Sequence, residues 1–320
     1  NACMARIFID GHAGTTGLRI HALLRDRLDL ELIAPDEERR KDPEARAELL
    51  NQADLALLCL PDEAAREAVE WVESSSTRIL DASSAHRVAD DWVFGLPELR
   101  PGQREAIAGA ARVSNPGCYS TAVILGLRPL VDAGLVRRDA ALTVHGLSGY
   151  SGGGRSEIER WEDPASGLLV LPHDVPYALE RVHKHVPEMQ LYAGLERAPQ
   201  FMPAKGPFRD GMRLLLPLPA ETLAQGATGK LVWEALHARY ADEPFVRVLA
   251  LEEPRASDEL DLDPRGCNGT NRLEIVVLSS PTGNVVLAVR LDNLGKGAAG
   301  AAVQNLNLML GLPEGTGLEA

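Results

Sequence analysis

Two segments carry reactive groups in settings that would use them. In Ser114-Asn115-Pro116-Gly117-Cys118-Tyr119-Ser120-Thr121 a cysteine follows a Pro-Gly turn and precedes the apolar run Ala122 to Leu127. The turn breaks the chain sharply and the apolar run reads as a helix. Cys118 therefore sits at or just before the first helical turn, where peptide dipoles favour a thiolate, the nucleophilic form. Cys59 lies inside an apolar run and reads as a buried structural thiol, while Cys267, near Gly266 and Gly269 but with no helix behind it, ranks after Cys118. The second segment, Arg181-Val182-His183-Lys184-His185-Val186-Pro187-Glu188, sets two histidines ahead of a helix whose first position is Pro187. If that segment is extended, His183 and His185 point to opposite sides and only one faces the thiolate as its proton partner. Glu188, in the first turn, would orient the chosen ring. The spacing also outlines a His-x-His-x-x-Glu metal site, but no third clear ligand accompanies it, so no metal is expected.

A third motif points to an anionic cofactor. Gly11-His12-Ala13-Gly14-Thr15-Thr16-Gly17 follows a strand pattern and opens a helix pattern. Glycines there let the backbone turn tightly and approach a pyrophosphate, whose charge sits at the helix N-terminus. The spacing is GxxGxxG rather than GxGxxG, so its weight comes from the strand before it and the helix after it. Asp36 stands where an acid would hold a ribose hydroxyl, but Arg39, Arg40 and Lys41 follow at once and suit a 2′-phosphate, which favours NADP.

The elements that must position these groups alternate through the first third of the chain. Strand patterns at 6–9, 30–34, 55–60 and 78–80 are separated by helix patterns after the glycine loop, at 43–52 and at 63–72. Such alternation predicts a parallel sheet with helices on both faces. After Cys118 the strand patterns at 142–145, 212–218, 273–278 and 285–291 dominate, and Ser280-Pro281-Thr282-Gly283-Asn284 reads as a hairpin, so the second part is expected to be α+β. A closing helix is expected over 297–310; its Ala, Asn and Gln content, with little charge, implies burial. The acidic stretch 252–265 reads as a solvated loop.

The totals bound the partners. With 320 residues, 45% hydrophobic and 25% charged, the chain can bury two cores, built on aliphatic side chains because aromatics are only 4%. A net charge of −13 argues against a nucleic-acid partner. Four dispersed cysteines without a CxxC pair, no apolar run long enough to span a bilayer, and no secretory pattern predict a cytoplasmic protein with reduced thiols that does not enter a membrane.

Taken together, these motifs resemble the N-acetyl-gamma-glutamyl-phosphate reductases of arginine biosynthesis, in particular their shorter second type. The resemblance is carried by the glycine loop, Asp81-Ala82-Ser83-Ser84-Ala85-His86-Arg87, Phe94-Gly95-Leu96-Pro97-Glu98-Leu99, the Asn115 to Tyr119 turn, Leu147-Ser148-Gly149-Tyr150-Ser151-Gly152-Gly153-Gly154-Arg155, His183 to Glu188, Gly269-Thr270-Asn271 and Asp292-Asn293-Leu294-Gly295-Lys296-Gly297-Ala298-Ala299-Gly300. Ser120 stands where many members have Pro, and Ser84-Ala85-His86-Arg87 departs from a common Ala-Asp-Phe-Arg. The resemblance implies an α/β fold: a Rossmann-like parallel-sheet domain from 4–115 and 293–320, and an α+β catalytic and oligomerisation domain with a mixed or antiparallel sheet from 116–292. It implies NADPH at Gly11, Gly14, Thr15, Thr16, Gly17, Arg39, Arg40, Ser83, Asn293, Lys296 and Gly297, and a homo-oligomer, dimer or tetramer.

The chemistry expected is attack of Cys118 on an acyl phosphate, loss of inorganic phosphate, hydride transfer to the resulting thioester and collapse to an aldehyde, with His183 (His185 as second choice) handling the proton. A backbone N–H of the turn and the Asn115 amide would stabilise the oxyanion. Arg87 and Arg155 are expected to grip substrate carboxylate or phosphate, with Ser148 and Gly149 lining the same loop. An aspartate-semialdehyde dehydrogenase, a reductase of a carrier-bound aminoadipyl phosphate and a non-catalytic dinucleotide-binding regulator are the competing readings. The Gly-Cys-Tyr turn and His-Lys-His-Val-Pro-Glu speak against the first, the acidic surface against the second, and the Cys/His pair against the third.

Overall fold

The computed structural model describes residues 4–251, 255–256 and 259–320, and the chain divides into two compact units. The first runs through Pro116 and takes up Ala298–Leu318; the second is Gly117–Gly297 with Glu319–Ala320. Residues 293–297, expected with the cofactor domain, thus fall in the second unit.

In the first unit, strand β1 (Ala5–Asp10) leads to helix α1 (Thr15–Leu24), β2 (Leu30–Ile33), α2 (Pro43–Gln52), β3 (Leu55–Leu58), α3 (Asp62–Glu70), β4 (Arg78–Asp81), β5 (Val93–Phe94), α4 (Gln103–Gly109) and β6 (Arg112–Ser114). The six strands form one wholly parallel sheet in the order β2-β1-β3-β4-β6-β5. Alternate strand residues feed two cores, as the two-residue period requires. Ile7, Ile9, Leu55, Leu57 and Leu80 meet Ile20 and Leu24 of α1 and Ile107 of α4. Phe8, Ala56, Leu58 and Ile79 meet Leu50 of α2 and Ala65 and Ala68 of α3.

The second unit begins with α5 (Cys118–Asp132) and continues through β7 (Thr143–Gly149), α6 (Arg155–Glu162), β8 (Val175–Pro176), α7 (Val186–Ala193), β9 (Gln200–Gly206), β10 (Met212–Leu218), α8 (Gly229–Tyr240), β11 (Val246–Val248), the short pair β12 (Arg255–Ala256) and β13 (Glu259–Leu260), β14 (Leu273–Ser279) and β15 (Val285–Leu291). Seven strands form a mixed sheet, β11-β14-β15-β10-β7-β9-β8. The expected hairpin is the β14–β15 pair, while β7 and β9 run parallel. Where a solvated loop was expected over 252–265, β12 and β13 pair antiparallel; residues 252–254 and 257–258 lie outside the described residues.

Helix α5 is buried from Tyr119 through Leu127 and again at Pro129 to Val131, and packs on α7, α8, β10 and β15. Pro129 inside it has no N–H to give the carbonyl four residues back. The hydroxyl of Tyr240, at the end of α8, supplies the missing donor, reaching the Leu125 carbonyl at 2.6 Å. Burial of that carbonyl without a partner would be costly.

The last helix, α9 (Gly300–Met309), returns to the first unit and is entered by a π-helical turn over Gly295–Ala299. It is buried on nearly all sides. Ala302, Val303, Leu306 and Met309 join the core around Ile7 and Leu55. Its amides act as buried bolts: Gln304 donates to Glu98 (2.9 Å) and Glu314 (2.6 Å), Asn305 to the Gly95 carbonyl (2.7 Å) and Asn115 (3.0 Å), and Asn307 to the carbonyls of Glu314 and Thr316. Uncharged amides can make these buried bonds without adding a charge of their own.

Candidate active site

Cys118 is the first residue of α5, and its helix N-terminus carries no side-chain cap. The first-turn N–H groups are thus left to whatever anion forms there. Cys118 is half-buried, and a Cβ on Gly297 would lie 2.8 Å from its own Cβ, so glycine is required behind the nucleophile. The other described thiols are poor nucleophiles. Burial, with Asp81 and Asp10 adding, pushes the Cys59 thiol far above its usual range, and burial then Glu274 push Cys267 up to about 12.

The histidine segment is bonded on both flanks of Cys118. The Glu188 carboxylate, buried at the start of α7, accepts from the Gly117 N–H (3.3 Å), and the Ser120 hydroxyl donates to the His185 carbonyl (3.4 Å). Glu188 thus grips the turn before the nucleophile.

The expectation that the two rings point to opposite sides does not hold. The backbone turns helical at His185 instead of staying extended, and the ring centres lie 4.7 Å apart. The His185 N–H donates to His183 Nδ1 at 3.2 Å. Both rings meet Tyr119, at 5.8 and 5.9 Å between centres, and His183 also meets Phe201 and Tyr177 edge-on.

Five of the residues expected at the site make contacts within the protein. Arg87 is buried and donates to the carbonyls of Asn115 (2.9 Å) and Ala82 (3.3 Å), holding the strand that leads to the cysteine turn. Asn115 donates to the Ala298 carbonyl (3.0 Å) and accepts from Asn305, so its amide also ties the first unit together. Arg155 is 77% exposed and pairs with Glu159 one helical turn away (2.8 Å). Lys296 is wholly buried, its ammonium 6.0 Å from the Phe245 ring centre. Asn293 is also internal, accepting from the Gly211 N–H (2.7 Å) and donating to Ser151 (2.9 Å). Ser148 is buried beside Gly149, bonded to its carbonyl, at the end of β7.

The glycine loop has the features of an anion cradle. Gly11 has φ +86°, and a Cβ there would sit 2.3 Å from the Cys59 carbonyl; a Cβ on Gly17 would sit 2.5 Å from the Gly11 carbonyl. Gly14 caps α1 without any side-chain bond, and the first turn, with Thr15 and Thr16, holds no acid. The donor set therefore fits a dinucleotide phosphate. Arg39 pairs with Asp42 (2.9 Å) and Arg40 with Glu37 (3.4 Å) just beyond β2. Ser83, after β4, donates to the buried Asp81 (2.8 Å). Two features of this edge were not read from sequence: Arg46 grips Asp10 with two nitrogens, and His86 meets Asp81 at 2.6 Å while stacking on Trp92. Among the described residues no group of three His, Cys, Asp or Glu side chains is disposed to hold a metal ion, and no helix is long and apolar enough to cross a membrane.

Comparison with known proteins assigns the two halves to one family. Residues 6–110 match the family described as "Semialdehyde dehydrogenase, NAD binding domain" and residues 118–293 match "Semialdehyde dehydrogenase, dimerisation domain". The chain is 48% identical, over 98% of its length and 99% of the relative's, to the N-acetyl-gamma-glutamyl-phosphate reductase of Trichormus variabilis. It is 50% identical to N-acetyl-gamma-glutamyl-phosphate reductase 2 of Pseudomonas putida, over 95% and 96% of the two chains. Its fold is that of aspartate semialdehyde dehydrogenase from Francisella tularensis, with a TM-score of 0.73 over 96% of this chain and 100% of that one at 16% identity.

Proposed function

We infer, since this chain belongs to the N-acetyl-gamma-glutamyl-phosphate reductase family, that it reduces N-acetyl-γ-glutamyl phosphate to N-acetylglutamate semialdehyde with NADPH, releasing inorganic phosphate, as a step of arginine biosynthesis. The observation that carries the mechanism is the double tie across Cys118, Glu188 to Gly117 and Ser120 to His185, which binds the imidazole segment to both flanks of the thiol. The Cys118 sulfur attacks the acyl carbon, the phosphate departs with the bonding electrons of the C–O bond, and a thioester forms. The uncapped first turn of α5 offers backbone N–H groups to the oxyanion. The Gly11, Gly14 and Gly17 cradle would hold the dinucleotide, whose reduced nicotinamide, when bound, would supply the hydride that takes the thioester to a thiohemiacetal. Collapse expels the Cys118 thiolate and leaves the aldehyde.

His183 is the group proposed to move the proton. Its Nδ1 accepts from the His185 N–H, so the proton of the neutral ring sits on Nε2, ready to be given to the departing or forming oxygen. The cradle at Gly11, Gly14 and Gly17 supports the dinucleotide, and Arg39 and Arg40 support the 2′-phosphate form. We also propose a homo-oligomer built on the second unit, whose matching family is described by its dimerisation, and a cytoplasmic setting.

The testing experiment runs the reaction backwards: NADP reduction driven by N-acetylglutamate semialdehyde with and without inorganic phosphate, against aspartate semialdehyde. Phosphate-dependent turnover of the acetylated substrate is the expected result. Preference for aspartate semialdehyde overturns the assignment.

A further inference from the structure

Outside the cysteine and histidine segments, one partly buried charge cluster of the second unit has no part in the chemistry so far. Lys205, near the end of β9, is only 17% exposed; its ammonium lies 2.5 Å from Glu157 of α6 and 4.8 Å from the centre of the Tyr177 ring. Arg160 donates to both oxygens of the same Glu157, at 3.0 and 3.3 Å. Two cations on one carboxylate leave the cluster with one net positive charge. Burial alone pushes the Glu157 carboxyl up, but Lys205 and Arg160 together outweigh it and hold the group below its ordinary value. Glu157 is therefore ionised, and the surplus charge is positive.

Tyr177 joins this cluster to the reacting end. Its hydroxyl donates to that of Tyr119 at 3.2 Å, and Tyr119 directly follows Cys118. Its ring meets His183 at 5.9 Å. Burial pushes the Tyr177 phenol up to about 12, with the charges of Cys118 and Glu157 both adding, so this ring stands in the field of the nucleophile and of the cluster at once. The next residue, Ala178, has φ 54°, a left-handed conformation that costs a side-chain-bearing residue energy and marks a tightly specified turn.

We propose that Lys205, held between Glu157 and the Tyr177 ring, receives the α-carboxylate of the N-acyl amino acid substrate in competition with Glu157; this rests on the reductase reading above. In that substrate four bonds separate the acyl carbon from the carboxylate carbon, a reach of roughly 5 Å by standard bond lengths. An anion of one charge matches the surplus of one. A lysine ammonium is a compact point charge, suited to a single carboxylate.

The test uses the full chain in the oxidative direction with N-acetylglutamate semialdehyde and its α-carboxamide, which keeps the reacting end and loses the charge. Lys205→Met should raise KM for the acid by about tenfold or more, the scale of a lost charged hydrogen bond, with kcat and KM for NADP little changed. The same variant should treat the amide as the wild type does. Glu157→Gln should move KM for the acid the other way, downward, because it removes a competing carboxylate. Lys230→Gln on the exposed face of α8 serves as the unaffected control. An acid-over-amide preference that survives in Lys205→Met, or a Glu157→Gln variant whose KM for the acid rises, overturns the proposal while leaving the reductase reading intact. Should Lys205→Met not fold, the Glu157→Gln shift and the wild-type preference for acid over amide decide it. A wild type inactive on the acid overturns both.

Discussion

The backbone N–H of His185 donates to Nδ1 of His183, at 3.2 Å, and the two rings stand nearly perpendicular, 79° apart. One histidine thereby sets the tautomer of the other through the main chain, a service that survives any change of the His185 side chain. His183→Asn should consequently cut kcat by about two to four orders of magnitude, the range for loss of a general acid–base. His185→Asn should cost much less. Steady-state kinetics of the pair check this, and the reverse ranking would move proton transfer to His185.

Cys118→Ser should retain secondary structure and NADPH binding while kcat falls by at least about a thousandfold, as loss of the covalent nucleophile requires. Circular dichroism, fluorescence titration with NADPH and turnover measure the three terms separately. Near-normal turnover would remove the thioester from the mechanism.

Among the described cysteines, thiol labelling should single out the same residue. A group with a pKa of about 12, as for Cys267, is thiolate in only about one molecule in 10⁵ at pH 7. Cys59 is shifted in the same direction. Iodoacetamide on the native protein should therefore modify Cys118 first, and Cys59 and Cys267 only after unfolding. Peptide mapping by mass spectrometry reads the order.

Gly297→Ala should injure catalysis without unfolding the protein. The added methyl would meet the Cys118 Cβ at 2.8 Å, and a nucleophile displaced by even a fraction of an ångström loses rate, about a hundredfold for a full ångström. A kcat within twofold of wild type, about the limit of ordinary scatter for a neutral change, would show that the π-helical turn gives way instead.

Tyr240→Phe should lower stability by about 1–3 kcal/mol, because the Leu125 carbonyl loses its only substitute for the N–H that Pro129 lacks. Denaturant titration gives the value, and kcat should not follow it.

Much of this arrangement was legible in the chain because local chemistry dictates it. The Pro-Gly turn ahead of an apolar run places Cys118 at a helix start, and glycine spacing after a buried strand does the same for the α1 cradle. Pairwise contacts between distant residues were not legible. Arg155, on an exposed helix face, pairs with Glu159, while Lys205, which no motif marks, meets Glu157 across 48 positions. The extended-segment rule failed at His183 and His185 because α7 starts at Val186, one residue before Pro187, with His185 as its cap already in helical backbone. Arg87, Asn115 and Lys296 lie in motifs rich in polar residues, and sequence alone does not separate a polar group that binds a ligand from one that ties two loops together.

The bolts of α9 have a consequence for biosynthesis. The strands of the parallel sheet precede the second unit in the chain, yet the helix that covers one face of that sheet follows all but two residues of the second unit. During synthesis the core around Ile7, Leu55 and Leu57 therefore lacks Ala302, Val303, Leu306 and Met309 until the second unit holds all but two of its residues. In this order of residues the core of the parallel sheet is the later one to receive its last side chains.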